Sequence, residues 1–77
     1  MKSTNKKKLP NIHPGEVLQE EFLKPLGITQ YRLAVATGLA HSRITDIIKE
    51  RRGISADTAL RFSRCFGTTP DFWLNLQ

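Results

Sequence analysis

His41, Ser42, Arg43 and Asp46 place an imidazole, a hydroxyl, a guanidinium and a carboxylate within six consecutive positions. As catalysts they are poor candidates. His41 has no second general acid or base near it, and no nucleophile in the chain has a base at a recognisable spacing. No paired carboxylates sit in a plausible cleft and no glycine-rich phosphate loop is present, so an enzyme is not expected. As readers of hydrogen-bonding edges, the same residue types are well suited. A serine hydroxyl bonds several base edges, arginine reads guanine through two parallel bonds, and a carboxylate accepts from the cytosine amino group. Asp46 has a second reading, as an internal partner that orients Arg43 or Lys49, because like-signed phosphates disfavour it at DNA. Cys65 is the only cysteine, and His13 and His41 are far apart, so neither a disulfide, a metal site nor a cofactor is expected. Cys65 itself reads as a small, part-buried thiol.

Such side chains are useful only if an element holds them outward. Between Gln30 and Lys49, Ala34 lies four residues before Gly38, while Ile44 and Ile47 lie six and nine after it. Where two short helices cross steeply, the first tolerates nothing larger than Ala at the contact. The turn needs a residue at ease with positive φ, which suits Gly38. The second helix needs apolar residues three apart to lock onto the domain, leaving its opposite face free. This is the spacing of a helix-turn-helix, with His41, Ser42 and Arg43 at the amino end of the reading helix.

The remaining elements read as further short helices. The first is expected from Pro14 to about Lys24, since Pro25 disfavours helix before it. The second follows Thr29 as N-cap and ends at Thr37–Gly38; the third runs roughly from His41 to Glu50. The fourth has Ser55 as cap, places Ala59, Phe62, Ser63 and Phe66 on one face, and stops at Gly67. The fifth opens at Pro70 behind Thr69 and carries Phe72, Trp73 and Leu76. No strand pattern or repeat occurs, and the fold class is all-α with five helices. Residues 12–77 form the domain, and the polar, lysine-rich residues 1–11 form a flexible arm. That arm reads as a solvated tail, a minor-groove arm or a contact with a protein partner.

The net charge of +5 owes four units to Lys2, Lys6, Lys7 and Lys8; residues 9–77 carry eight basic and seven acidic groups. What matters is polarity within the domain. Glu16, Glu20 and Glu21 make the first helix acidic, while Arg43, Lys49, Arg51 and Arg52 make the third basic. No signal peptide and no membrane-spanning run occur, so a cytoplasmic location is expected. At 77 residues the core is near the lower limit of self-sufficiency, which favours association with another chain.

Two further phrases, His13-Pro14-Gly15-Glu16-Val17-Leu18 and Arg52-Gly53-Ile54-Ser55-Ala56-Asp57-Thr58-Ala59-Leu60-Arg61, join Phe66-Gly67-Thr68-Thr69-Pro70-Asp71-Phe72-Trp73-Leu74-Asn75-Leu76-Gln77. With these the chain resembles the HigA-type antitoxins, within the Cro- and phage-repressor-like helix-turn-helix proteins, over about residues 12–77. The resemblance implies a five-helix DNA-binding fold and a homodimer on a palindromic operator. It also implies a partner toxin, an mRNA-cleaving endoribonuclease neutralised by complex formation. Ala40 departs from the pattern, because such proteins often place Ser or Thr there to cap the third helix. The missing bond costs about 1 kcal/mol.

Thr29 and Gln30 are expected at a phosphate beside the amino end of the second helix, against a plain reading as exposed polar residues. Lys49, Arg51 and Arg52 suit the dipole at the carboxyl end of the third helix and also flank the groove, where phosphate contacts supply non-specific affinity. Arg32 and Tyr31 are exposed by position. Phe72, Trp73 and Leu76 concentrate apolar area at a dimer interface, with the alternative that Trp73 closes the core beneath the fourth helix. Two other functions stay open: a toxin-binding module with no DNA role, docking through the acidic first helix, and a stand-alone phage-type repressor.

Overall fold

The computed structural model describes residues 12–76, so the lysine-rich arm lies outside the described residues. Those residues form five helices, with no strand among them. Helix α1 is built from three contiguous stretches, Pro14–Val17, Leu18–Leu23 and Lys24–Leu26. Helix α2 spans Gln30–Thr37, α3 His41–Ile48, α4 Ala56–Phe66 and α5 Pro70–Leu74. Thr29, Ser55 and Thr69 each cap the helix they precede, accepting from the N–H groups of Arg32, Thr58 and Phe72.

Helix α1 does not stop at Lys24. Its middle stretch, Leu18–Leu23, takes the wider π register, in which the Lys24 N–H donates to the Gln19 carbonyl. An α-helical turn would drive the Pro25 ring into the carbonyl four residues back, and widening the preceding turn relieves that conflict. Helix continues through Pro25 to Gly27, whose φ of 68° ends it.

Two other ends also differ from expectation. Helix α3 stops at Ile48, with the Glu50 N–H bonded to the Ile47 carbonyl (3.0 Å) and the Arg51 N–H to the Asp46 carbonyl (2.8 Å). This Schellman closure puts Glu50 at φ 64°. Helix α5 is shorter than the run to Gln77, closing in a turn at Asn75 and Leu76.

The core gathers Leu18, Leu23, Leu33, Ile44, Ile47, Ile54, Ala59, Phe62 and Trp73 from every helix and the α3–α4 connection. Phe22, Phe66 and Phe72 pack around Trp73, with ring centroids 5.1–6.1 Å from it. Gly15 seats α1 on α3 so closely that a Cβ there would fall on the Ile47 carbonyl oxygen.

Candidate nucleic-acid interface

Ile44 and Ile47 are fully buried, and Ala34, at 7% exposure, lies where α2 crosses α3. Gly38 makes the corner between them at φ 77°. Anchored on its apolar side, α3 leaves His41 and Ser42 exposed and Arg43 half-buried at its amino end. Ala40 is extended (φ −64°, ψ 142°) and contributes no side-chain cap, as its methyl group requires. The positive end of the helix dipole therefore meets solvent without a side-chain acceptor upon it, a setting favourable to an anion. Tyr31 is exposed and stands edge-on to His41, ring centroids 6.4 Å apart.

The flanks of α3 are built differently. At the amino end of α2, the Thr29 hydroxyl accepts from the Arg32 N–H at 3.0 Å. Beside it the Thr45 hydroxyl of α3 donates to Gln30 Oε1 at 3.0 Å, bridging the two helices. Beyond the carboxyl end of α3, Lys49, Arg51 and Arg52 are exposed. Arg43 and Arg52 line a shared hollow with Gly53, Ile54, Ser55 and Thr58. Asp46 is paired, but with Arg51 at 3.4 Å rather than with Arg43 or Lys49. The Schellman turn folds residue 51 back over Asp46, a proximity that helical spacing does not predict. An exposed pair of this kind contributes about 0–1 kcal/mol, little enough for a phosphate to displace it.

Three residues outside the expected set shape the site. Thr45 holds Gln30, and Glu50 carries the backbone turn that releases the basic cluster. Arg61 of α4 donates through Nη1 to the Thr37 carbonyl at 2.7 Å, while its Nε meets Asp57 at 3.0 Å. The Asp57–Arg61 pair was legible as an i,i+4 spacing. The contact with Thr37 spans 24 residues and is a product of packing alone.

At the expected dimer face the three apolar residues separate. Trp73 is fully buried and its indole N–H donates to Thr68 Oγ1 at 2.8 Å, so it closes the core and has no surface to offer a twin subunit. Phe72 remains 39% exposed and Leu76 half-buried. Cys65 is exposed rather than part-buried as a residue, although local desolvation pushes its thiol above the ordinary value. Among the described residues no three His, Cys, Asp or Glu side chains gather into a metal site, and no helix is long and apolar enough to cross a membrane.

A buried-alanine crossing, a left-handed glycine corner and a helix whose amino end faces outward define the class: a helix-turn-helix domain on a five-helix, phage-repressor-like frame. The chain belongs to the HTH_3 helix-turn-helix family, whose model matches residues 20–73, and within it to the HigA-type antitoxins. It is 53% identical over 72 residues to virulence-associated protein I of Dichelobacter nodosus, covering 94% of this chain and 67% of that protein. A solved structure of the Pseudomonas aeruginosa antitoxin HigA with the higBA promoter superposes with TM-score 0.84 at 48% identity, covering 87% of this chain and 73% of that one. The antitoxin GraA in complex with its operator superposes with TM-score 0.82 at 52% identity, covering 95% and 74%. The chain spans roughly three-fifths to two-thirds of the length of the curated relatives it matches.

Proposed function

We propose that this chain is the operator-binding antitoxin of a toxin–antitoxin pair, acting in the cytoplasm. As a homodimer it represses its own operon, and it neutralises an mRNA-cleaving endoribonuclease by forming a complex with it. The observation that carries the DNA reading is the outward amino end of α3, held by Ile44 and Ile47, on a chain about half identical to antitoxins solved with promoter or operator DNA. His41, Ser42 and Arg43 enter the major groove and read base edges, with Arg43 suited to guanine. Thr29 and Gln30 on one side, and Lys49, Arg51 and Arg52 on the other, hold phosphates and set register without reading sequence. Asp46, neutralised by Arg51, serves that basic cluster more directly than it serves a cytosine.

A two-fold axis through the exposed Phe72 and the half-buried Leu76 pairs two reading helices about 34 Å apart, one turn of DNA. The toxin reading rests on the family and on the exposed acid of α1, where Glu16 and Glu21 stand beside Glu20, itself paired with Lys24.

Selection of duplexes from a random library, followed by anisotropy titration of the selected duplex at several salt concentrations, tests the DNA reading. Binding should weaken with a log–log slope of about −0.9 per phosphate neutralised by a Lys or Arg, with clear preference over random duplex. Replacing Ser42 and Arg43 with Ala should lower specific affinity by about ten- to a hundredfold while leaving toxin binding intact. A flat salt response and no sequence preference in the unmodified chain would refute operator binding. The acidic α1 would then remain as a protein-docking face.

A further inference from the structure

Two hollows open between α2 and α4, and neither is lined by a residue assigned above to DNA or to the two-fold contact. They share Ala36 and Cys65, so they form one continuous groove. Leu26 lines one hollow and Leu60 the other, and they are 59% and 40% exposed. Leucines left in water to that extent forgo apolar burial, and with the small Ala36 and Cys65 between them they offer a partner an apolar floor. The rim is basic. Arg32 and Arg64 are exposed and, among the described residues, in no ion pair. Asp57 is the one carboxylate on the groove, and Arg61 already holds it.

That combination selects among occupants. Pairing this groove with itself would set Arg32 and Arg64 against the same charges in a second copy. The lysine-rich residues 1–11 carry the wrong sign. DNA would satisfy the arginines but leave Leu26 and Leu60 uncovered. What fits is a protein segment with apolar side chains for the floor and carboxylates for the rim. We propose that the toxin docks in this groove through such a segment. The inference rests on the toxin reading above and gives it a site. The glutamates of α1 line neither hollow. They draw a basic protein toward the chain, whereas the groove supplies the apolar area that holds it.

Co-expression of this chain with each adjacent reading frame supplies the probe, and titration of the purified proteins measures the complex. Leu60→Glu and Arg64→Glu should each weaken it by about ten- to a hundredfold, and Leu26→Glu should do so from the other hollow. All three variants should melt as the unmodified chain does and keep its preference for the selected duplex. Glu16→Lys combined with Glu21→Lys should slow association and change dissociation little. Cys65 gives a readout that needs no substitution. Toxin at roughly ten times its Kd should slow alkylation of that exposed thiol about tenfold, since only the free chain reacts.

A complex that tolerates all three groove variants and leaves Cys65 reactive would overturn the assignment while leaving the toxin reading intact. Loss of self-association in Leu60→Glu would make the groove an interface between copies, and would overturn it as well. If neither adjacent product binds the unmodified chain, the toxin reading falls and this inference with it, while operator binding stands.

Discussion

Among the described residues Glu50 is the one non-glycine of four at positive φ; the others, Gly27, Gly38 and Gly67, end α1, α2 and α4. A side chain in that conformation costs energy that glycine avoids, so Glu50→Gly should stabilise the fold by about 0.5–1 kcal/mol. For a domain of this size the melting temperature should rise by about 2–8 °C. The change also removes a negative charge beside Lys49, Arg51 and Arg52. Duplex affinity should therefore rise together with stability, and a stabilised variant that binds DNA less well would count against the basic cluster as a phosphate site. Cys65 offers a smaller check at the same scale. Because desolvation raises its thiol, it stays neutral at physiological pH, and the pH profile of its alkylation should lie above that of a free cysteine.

At the scale of elements, the reading helix is positioned from both sides. From one side Gly15 lets α1 settle on the Ile47 carbonyl. Gly15→Ala adds helix propensity yet forces the backbones apart, and should destabilise by about 1–3 kcal/mol in denaturant titration. From the other side Arg61 reaches from α4 to the Thr37 carbonyl at the corner of the motif. Arg61→Ala should cost about 1 kcal/mol and leave the salt slope of duplex binding unchanged, which separates a corner brace from a phosphate contact. Most helix starts were legible in the chain, since Thr29, Ser55 and Thr69 are capping residues followed by apolar periodicity. The carboxyl end of α1 was not. Local rules make Pro25 a stop, whereas the buried Leu18 and Leu23, at the two ends of the stretch before it, favour keeping the helix intact through a π turn.

At the scale of the whole molecule, Phe72 and Trp73 are neighbours with opposite fates. Trp73→Ala should cost about 3–5 kcal/mol, enough to unfold so small a domain. Phe72→Asp should leave a folded chain whose weight-average mass in sedimentation equilibrium falls toward the monomer, with weaker binding to a palindromic duplex. If Phe72→Asp sediments as the unmodified chain does, the proposed two-fold contact through Phe72 is overturned.

Local chemistry in the sequence was enough for the all-α class, the helix-turn-helix corner at Gly38, the buried Ile44 and Ile47, and the outward His41, Ser42 and Arg43. Capping, periodicity and positive φ act within a few residues, so adjacent letters suffice to recognise them. Tertiary structure alone decided that Thr45 bonds Gln30, that Arg61 braces Thr37, and that Trp73 turns inward. Each of those outcomes is made after the chain folds back on itself, where distance along the sequence no longer measures distance in space. The choice of Arg51 over Arg43 for Asp46 is local, and was hidden only because helical spacing does not foresee the left-handed turn at Glu50.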